Sequence, residues 1–256
     1  MQWGIILRRE WLEIKRNYKW LWIPAVFILL GLMDPITTYY LPQILDSVGG
    51  LPEGAKIEIP TPPAEDVFLM TLGQFDFLGL VVIILSSMGL IAGEIKSGTA
   101  TMIFVKPIQF HSLILAKWSS HLFLLIGSYL LGVFSSWYYI NILFEPISFV
   151  AFLDSMWLYG LWLIFVLTVT LFISSMTRSP GAAASLTLVV IVFLQLVSNL
   201  LKDYLKWSPS QLSSYAGEMI KGGTYTSDII VCIVVSVLLI VALLIGSVEM
   251  VKRKHL

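Results

Sequence analysis

The sequence predicts an all-α integral membrane protein with six transmembrane helices, and three observations carry that prediction. Of 256 residues, 57% are hydrophobic and only 12% are charged, whereas an average soluble domain is about a quarter charged. Mean hydropathy is +0.87. Nine Trp, ten Tyr and fourteen Phe supply the amphipathic rings that mark membrane interfaces. Together these exclude a soluble enzyme, a disordered regulator and a nucleic-acid binder. Formal net charge is zero, so charge informs only through its placement. Cys232 is the one cysteine and lies in an apolar run, which leaves no disulfide framework and no multi-cysteine metal site. The chain reads as one domain over residues 1–256.

A spanning helix needs about 20 apolar residues, because roughly 30 Å of hydrocarbon is crossed at about 1.5 Å per residue. The predicted spans are 20–40, 73–93, 122–144, 155–177, 179–201 and 229–248. The last four carry no charge. In the second, the uncharged run Phe77–Gly93 is 17 residues long and extends outward through Gly73-Gln74. The first is the shortest, since Trp20–Met33 runs only 14 residues before Asp34-Pro35. Continued to Tyr40 it gives about 31 Å of helix, with Trp20 and Trp22 at one end and Tyr39 and Tyr40 at the other.

Charge placement decides for six spans. With six, 12 Lys and Arg fall on the side of the termini and only Lys56, Lys202, Lys206 and Lys221 on the other. Without the first span the split is nine to seven, hardly a bias. The positive-inside rule therefore predicts both termini in the cytoplasm. The first 19 residues hold five cations and no long apolar core, unlike a cleavable signal peptide. Instead Trp3, Leu7, Trp11, Ile14 and Tyr18 recur at helical spacing, predicting an amphipathic helix along the inner membrane surface, or simply a juxtamembrane anchor.

The first outer loop, Leu41–Asp66, holds Pro42, Pro60, Pro62 and Pro63 with five acids and one lysine and reads as an irregular acidic cap. Between spans five and six, Ser208-Pro209 is a helix start and Gly222-Gly223 a stop, so a short outer helix over Pro209–Lys221 is expected. Span five opens with Ser179-Pro180 and the small residues Gly181–Ser185, which permit close helix approach, within one subunit or across a dimer.

Ionisable groups inside a membrane are functional candidates. Asp34 and Asp76 fall near the outer interface, where a solvated helix-end role is expected, though Asp76 also stands as a pathway candidate. Gln195 and Asn199, one turn apart in the outer half of span five, line a pathway or pair with a neighbouring helix. His111 and His121 lie off any i, i+4 metal spacing and read as surface or interface histidines. The chain has no G-x-x-x-x-G-K-[ST] phosphate loop, so it does not itself hydrolyse ATP, and no H-E-x-x-H or G-x-S-x-G.

The inner loop between spans two and three is long for a hairpin, which suggests a docking surface. Its sequence, GEIKSGTATMIFVKPIQFHSLILAK, with Glu94 where span two ends, Pro107 as a breaker and Lys117 beyond, resembles the first cytoplasmic loop of ABC-2 type transporter permeases. The likeness extends to the N-terminal RREWLEIKRN helix, the six spans and the outer helix before span six. One departure is Ile95-Lys96, where more acidic or arginine-bearing pairs are usual in the family.

The resemblance implies the permease half of a bacterial ABC exporter in the plasma membrane. Two permease copies, or two homologous ones, would form the path and two separate ATPase subunits would dock below, binding ATP and Mg; this chain would carry no cofactor and no metal. An amphipathic coupling helix would follow Glu94, with Lys96, Ser97, Gly98, Thr99, Lys106 and Pro107 in the ATPase contact. Trp3, Leu7, Trp11 and Ile14 would belong to the connecting helix. Spans one, two and five would face the dimer partner. Spans two and five are mainly Leu, Val, Ile, Ala and Ser, which suits an amphipathic or hydrophobic peptide, toxin or antimicrobial as cargo. Two other classes stand beside this one. An intramembrane enzyme would need a cluster of polar catalytic groups at mid-membrane depth, which the sequence does not offer. A non-transporting assembly or immunity protein would not stimulate an ATPase.

Overall fold

A computed structural model describes residues 2–48, 61–98 and 109–255. Six of its helices are long and apolar enough to cross a membrane. In chain order, α1 (Gln2–Arg16) is followed by α2 (Lys19–Val48), which supplies the first span. The second span joins α3 (Ala64–Gln74), a π-helical turn at Phe75–Gly79 and α4 (Leu80–Ser87). A short α5 (Ala92–Lys96) then precedes α6 (Phe110–Leu143), α7 (Phe149–Met176) and α8 (Pro180–Leu200), the third to fifth spans. The short α9 (Gln211–Ile220) leads to α10 (Ser227–His255), the sixth. Six crossings leave both termini on one side, the terminal side.

The element bounds reflect local chemistry. Pro24, Pro35 and Pro42 all lie inside α2, so Asp34-Pro35 does not interrupt the first span as its sequence suggests. The expected irregular cap over Leu41–Asp66 is helical at both ends, to Val48 and from Ala64; its centre lies outside the described residues. The second span starts nine residues before the expected 73, after Pro63, with Glu65 and Asp66 in its first turn, where carboxylates favour a helix N-terminus. Its helix stops at Ser87, and Ser174 of α7 stitches the break. Ser174 Oγ accepts from the amides of Ile91 (3.2 Å) and Ala92 (3.0 Å) and donates to the Met88 carbonyl (2.8 Å). α6 starts at Phe110, ahead of the expected membrane span at 122, and carries the buried Lys117 and His121 into the fold.

Other starts and stops match their residues. Ser179 Oγ accepts from the Ala182 amide at 3.3 Å, capping α8 ahead of Pro180. Gly222 takes a left-handed φ of 81°, and the Gly222 and Gly223 amides return to Met219 and Glu218 carbonyls at 3.0 Å each, ending α9 as Gly222-Gly223 predicts.

The core is centred on α7, whose Tyr159 and Trp162 are wholly buried. Phe27, Phe75, Tyr129 and Tyr159 join the first four spans in one aromatic cluster, with neighbouring ring centroids 5.4–6.3 Å apart. The tightest crossing is α2 on α6. A Cβ on Gly31 would sit 2.2 Å from the Gly132 carbonyl oxygen, and one on Gly132 would sit 2.5 Å from that of Phe27; only glycine allows the two backbones this close. By contrast α2, α8 and α10 present long apolar faces outward, including Leu29, Phe193, Leu196 and Leu238.

Candidate functional site

The most concentrated chemistry lies on the terminal side, where α1 meets the end of the second span and the start of α6. Tyr18 carries a positive φ of 53° between α1 and α2, an uncommon conformation for a bulky residue. That turn folds α1 back against α6, where Ile6 and Leu7 pack on Leu113 and Ala116. The inward stripe of α1 is Ile6, Glu10 and Ile14, at i, i+4 and i+8, and all three are buried. The stripe read from sequence is thus turned by part of a face. Ile14 is buried and Leu7 and Trp11 half-buried, but Trp3 and Tyr18 are exposed. Glu10 is the reason: an acid faces inward because a cation waits there.

That cation is Lys117 of α6, 2% exposed. Its Nζ lies 3.0 Å from Glu10 Oε1 and 3.0 Å from Glu94 Oε1. Arg9 closes the group from the solvent side, with Nη2 bonded to Glu94 and 3.9 Å from Glu10. Two cations and two carboxylates on α1, α5 and α6 thus form one network. Burial pushes the Glu10 carboxyl above its ordinary range, and the neighbouring Lys117 charge pulls it part of the way back. Glu94, read from sequence as an acid available to a partner, is therefore already engaged by two cations of its own chain.

Next to the network is a cavity of about 430 Å³ lined by Glu13, Lys19, Gly89, Leu90, Gly93, Ser97 and His121 as well as the four charged residues. Lys19 Nζ donates to the Ser86 carbonyl at 2.7 Å, tying the start of the first span to the end of the second. Of the two histidines read as surface or interface residues, His121 is buried and His111 is exposed. The short α5 carries Lys96 outward, and Ser97 and Gly98 are exposed beyond it. Ser97 Oγ donates to the Glu94 carbonyl at 3.2 Å, and Gly98 turns the chain with φ 73°. Thr99, Lys106, Pro107 and the body of the expected coupling helix lie outside the described residues.

A second polar cluster sits on the opposite side, at the π-helical turn. Such a turn adds a residue to the helix and rotates the side chains beyond it to new directions. Phe75 stays in the aromatic core while Asp76 reaches Tyr159 Oη (3.1 Å) and Trp162 Nε1 (3.0 Å) with Oδ1, and accepts from Ser213 of α9 with Oδ2. Asp76 is therefore a partly buried, three-donor clamp between the second span, α7 and α9, rather than a solvated helix end. Asp34 is half-buried, with Oδ2 shielded from water. Above the clamp, ion pairs Lys221–Asp66 (2.8 Å) and Lys206–Asp228 (2.9 Å) fasten the same hairpin at its exposed rim. Gln195 is half-buried and Asn199 exposed on α8; the structure does not bring either to Asp76.

Residues 5–250 match the ABC-2 family transporter protein profile. The chain belongs to that family. It is also 35% identical over 218 residues to the uncharacterized transmembrane protein YxlG of Bacillus subtilis (strain 168), covering 85% of this chain and 84% of that one. As an ABC-2 protein the chain is a multi-pass transporter permease.

Arg9 and Glu10 are the junction residues that sequence reasoning did not single out, and Lys117 was named only as the basic residue beyond the inner loop. A signal was present for two. Glu10 falls on an apolar stripe between Ile6 and Ile14, and Lys117 interrupts the apolar stretch Leu113–Trp118. A lone charge in each of two apolar faces marks a pair that must meet out of water. Tyr159, Trp162 and Ser213 carried no such mark.

Proposed function

We propose that this ABC-2 permease is the membrane subunit of an ATP-driven exporter of the bacterial plasma membrane, with the terminal side in the cytoplasm. Two copies, or a copy and a homologue, form the path, and two separate ATPase subunits dock beneath α5 and the inner loop, supplying ATP and Mg. The observation that carries this reading is the buried junction of Arg9, Glu10, Glu94 and Lys117. It ties the inner loop to α1 and to the third span, so a push on the loop is passed to two helices at once rather than absorbed by a flexible hairpin. The exposed Lys96 and Ser97 supply the contact face, while Glu94 holds that face in place from behind. The outward apolar surfaces of α2 and α8 suit a partner permease, and the apolar second and fifth spans suit an amphipathic or hydrophobic peptide, toxin or antimicrobial.

The test is ATP turnover of the purified permease together with a partner ATPase subunit. The permease alone is expected to hydrolyse no ATP. Glu94→Gln should leave the complex assembled but lower transport-linked turnover. Gly98→Pro should lower it further, because proline cannot adopt the positive φ at that turn. Wild-type turnover in both variants would remove the junction from the coupling.

A further inference from the structure

The cavity beside the junction contains more recognition chemistry than the ion pairs use. Its lining includes three cations, Arg9, Lys19 and Lys117, and three carboxylates, Glu10, Glu13 and Glu94, so its formal charge is balanced. Lys117, Glu10, Glu94 and Arg9 face one another across one wall. Lys19 and Glu13 lie on other parts of the lining, and Lys19 gives one of its three N–H donors to the Ser86 carbonyl. His121 completes the lining. It is 6% exposed, and its Nε2 is buried with no hydrogen-bond partner among the described residues. A buried ring nitrogen left unpaired is costly, and this one belongs to a side chain that borders a space large enough for a small ligand.

The exposed aromatic residues around the cavity point to the ligand's source. Lys19 is flanked by exposed Tyr18, Trp20 and Trp22, the aromatic pattern of a membrane–water interface. α1 exposes Trp3, Ile5 and Leu12 at the same end. A volume of about 430 Å³ lies within the roughly 300–1,000 Å³ of small-ligand sites. An anion alone or a cation alone would unbalance the lining, whereas a zwitterion matches it.

We propose that this cavity binds the head group of a zwitterionic aminophospholipid, phosphatidylethanolamine, from the adjoining leaflet. The phosphate meets Lys19, and the ammonium meets Glu13 and the His121 Nε2 lone pair, the ring proton being on Nδ1 against Ser120 Oγ, whose own hydrogen goes to the Lys117 carbonyl. Bound there, the lipid wedges between α1, the first span and the end of the second, next to the junction but without replacing any of its ion pairs. Binding requires no ATPase, so its failure would leave the transporter reading intact, and the converse also holds.

The experiment uses the purified full chain, stripped of lipid in detergent. Thermal stability and native mass spectrometry are read on addition of short-chain phosphatidylethanolamine, phosphatidylglycerol or soluble glycerophosphoethanolamine. Phosphatidylethanolamine is expected to be retained and to raise the melting temperature, with phosphatidylglycerol about tenfold weaker, the ratio that one charge-assisted hydrogen bond commands. Glu13→Gln and His121→Leu should each weaken retention by about tenfold. Gly89→Leu, at a position where an added Cβ meets no atom within 4 Å, should occlude the cavity and abolish retention while leaving every charged group in place. Equal retention of the two lipids, or wild-type retention in Glu13→Gln and Gly89→Leu, would overturn the assignment. Binding of soluble glycerophosphoethanolamine as tight as that of the lipid would overturn the membrane source.

Discussion

Lys117 is almost fully buried with two carboxylates within 3.0 Å, and its value to the fold is asymmetric. Removing it strands Glu10 in a site with little water, whereas removing both leaves an apolar contact. Lys117→Met should therefore cost about 3–5 kcal/mol, and the double replacement Lys117→Met with Glu10→Leu should recover most of that loss. Melting temperatures of the three proteins in one detergent check it; a double variant no better than the single would show that the pair itself holds the fold. The Glu10 carboxyl gives a pH signature. Burial raises it above its ordinary value of 4.5, so the folded chain holds that proton more tightly than the unfolded chain. Its contribution to stability is complete below the ordinary value and is lost as pH rises through the raised one. Relative to Glu10→Gln, the wild type should gain stability as pH falls from neutral toward 4.5. Parallel pH curves for the two would mean that the Lys117 charge, and not burial, sets this group.

Between elements, backbone contact replaces charge. The α2–α6 crossing has no space for a side chain, because both glycines face carbonyl oxygens of the other helix. Gly132→Leu should separate the two spans at a cost beyond the roughly 1–3 kcal/mol of ordinary overpacking, since a backbone cannot rotate away. Loss of folded protein in gel filtration, with Gly127→Leu unaffected, is the expected result; a Cβ on Gly127 meets nothing within 4 Å. Ser174 is a smaller case. It satisfies two amides and one carbonyl at the break after Ser87, so Ser174→Ala should cost about 1–3 kcal/mol. Amide hydrogen exchange should rise at Ile91 and Ala92, and unchanged exchange there would show that the break is closed by something else. The Asp76 clamp works in the same way on the opposite side, holding α9 to the second span through Ser213.

At the scale of the whole molecule, the faces of α2, α8 and α10 left exposed among the described residues are apolar. Gln195, half-buried, and Asn199, exposed, interrupt the α8 face with polar groups. Replacing both with Leu should change transport by the assembled exporter while leaving assembly intact, as judged by co-purification of the ATPase. An unchanged transport rate would assign the two residues to lipid contact alone.

Much of the architecture was legible because hydropathy is local. The six spans, the Ser179-Pro180 start of α8 and the Gly222-Gly223 stop after α9 each rest on a few adjacent residues, since a membrane demands apolar length and a helix end demands a particular backbone. The inner-loop motif likewise named the family. Bounds set by distant partners were not legible. The regular helix of the second span ends at Ser87, short of the expected 93, where Ser174 of α7 satisfies the Ile91 and Ala92 amides and the Met88 carbonyl, and no window of sequence contains both partners. The same reason hides the sites. Glu10, Glu94 and Lys117 are separated by 107 residues of chain between the first and last, and Asp76 meets Ser213 across 137. Sequence alone determined that this chain crosses a membrane six times and belongs with transporter permeases. Only the tertiary structure decided which charges are paired, because a buried charge is stable only where the whole fold delivers its counter-ion.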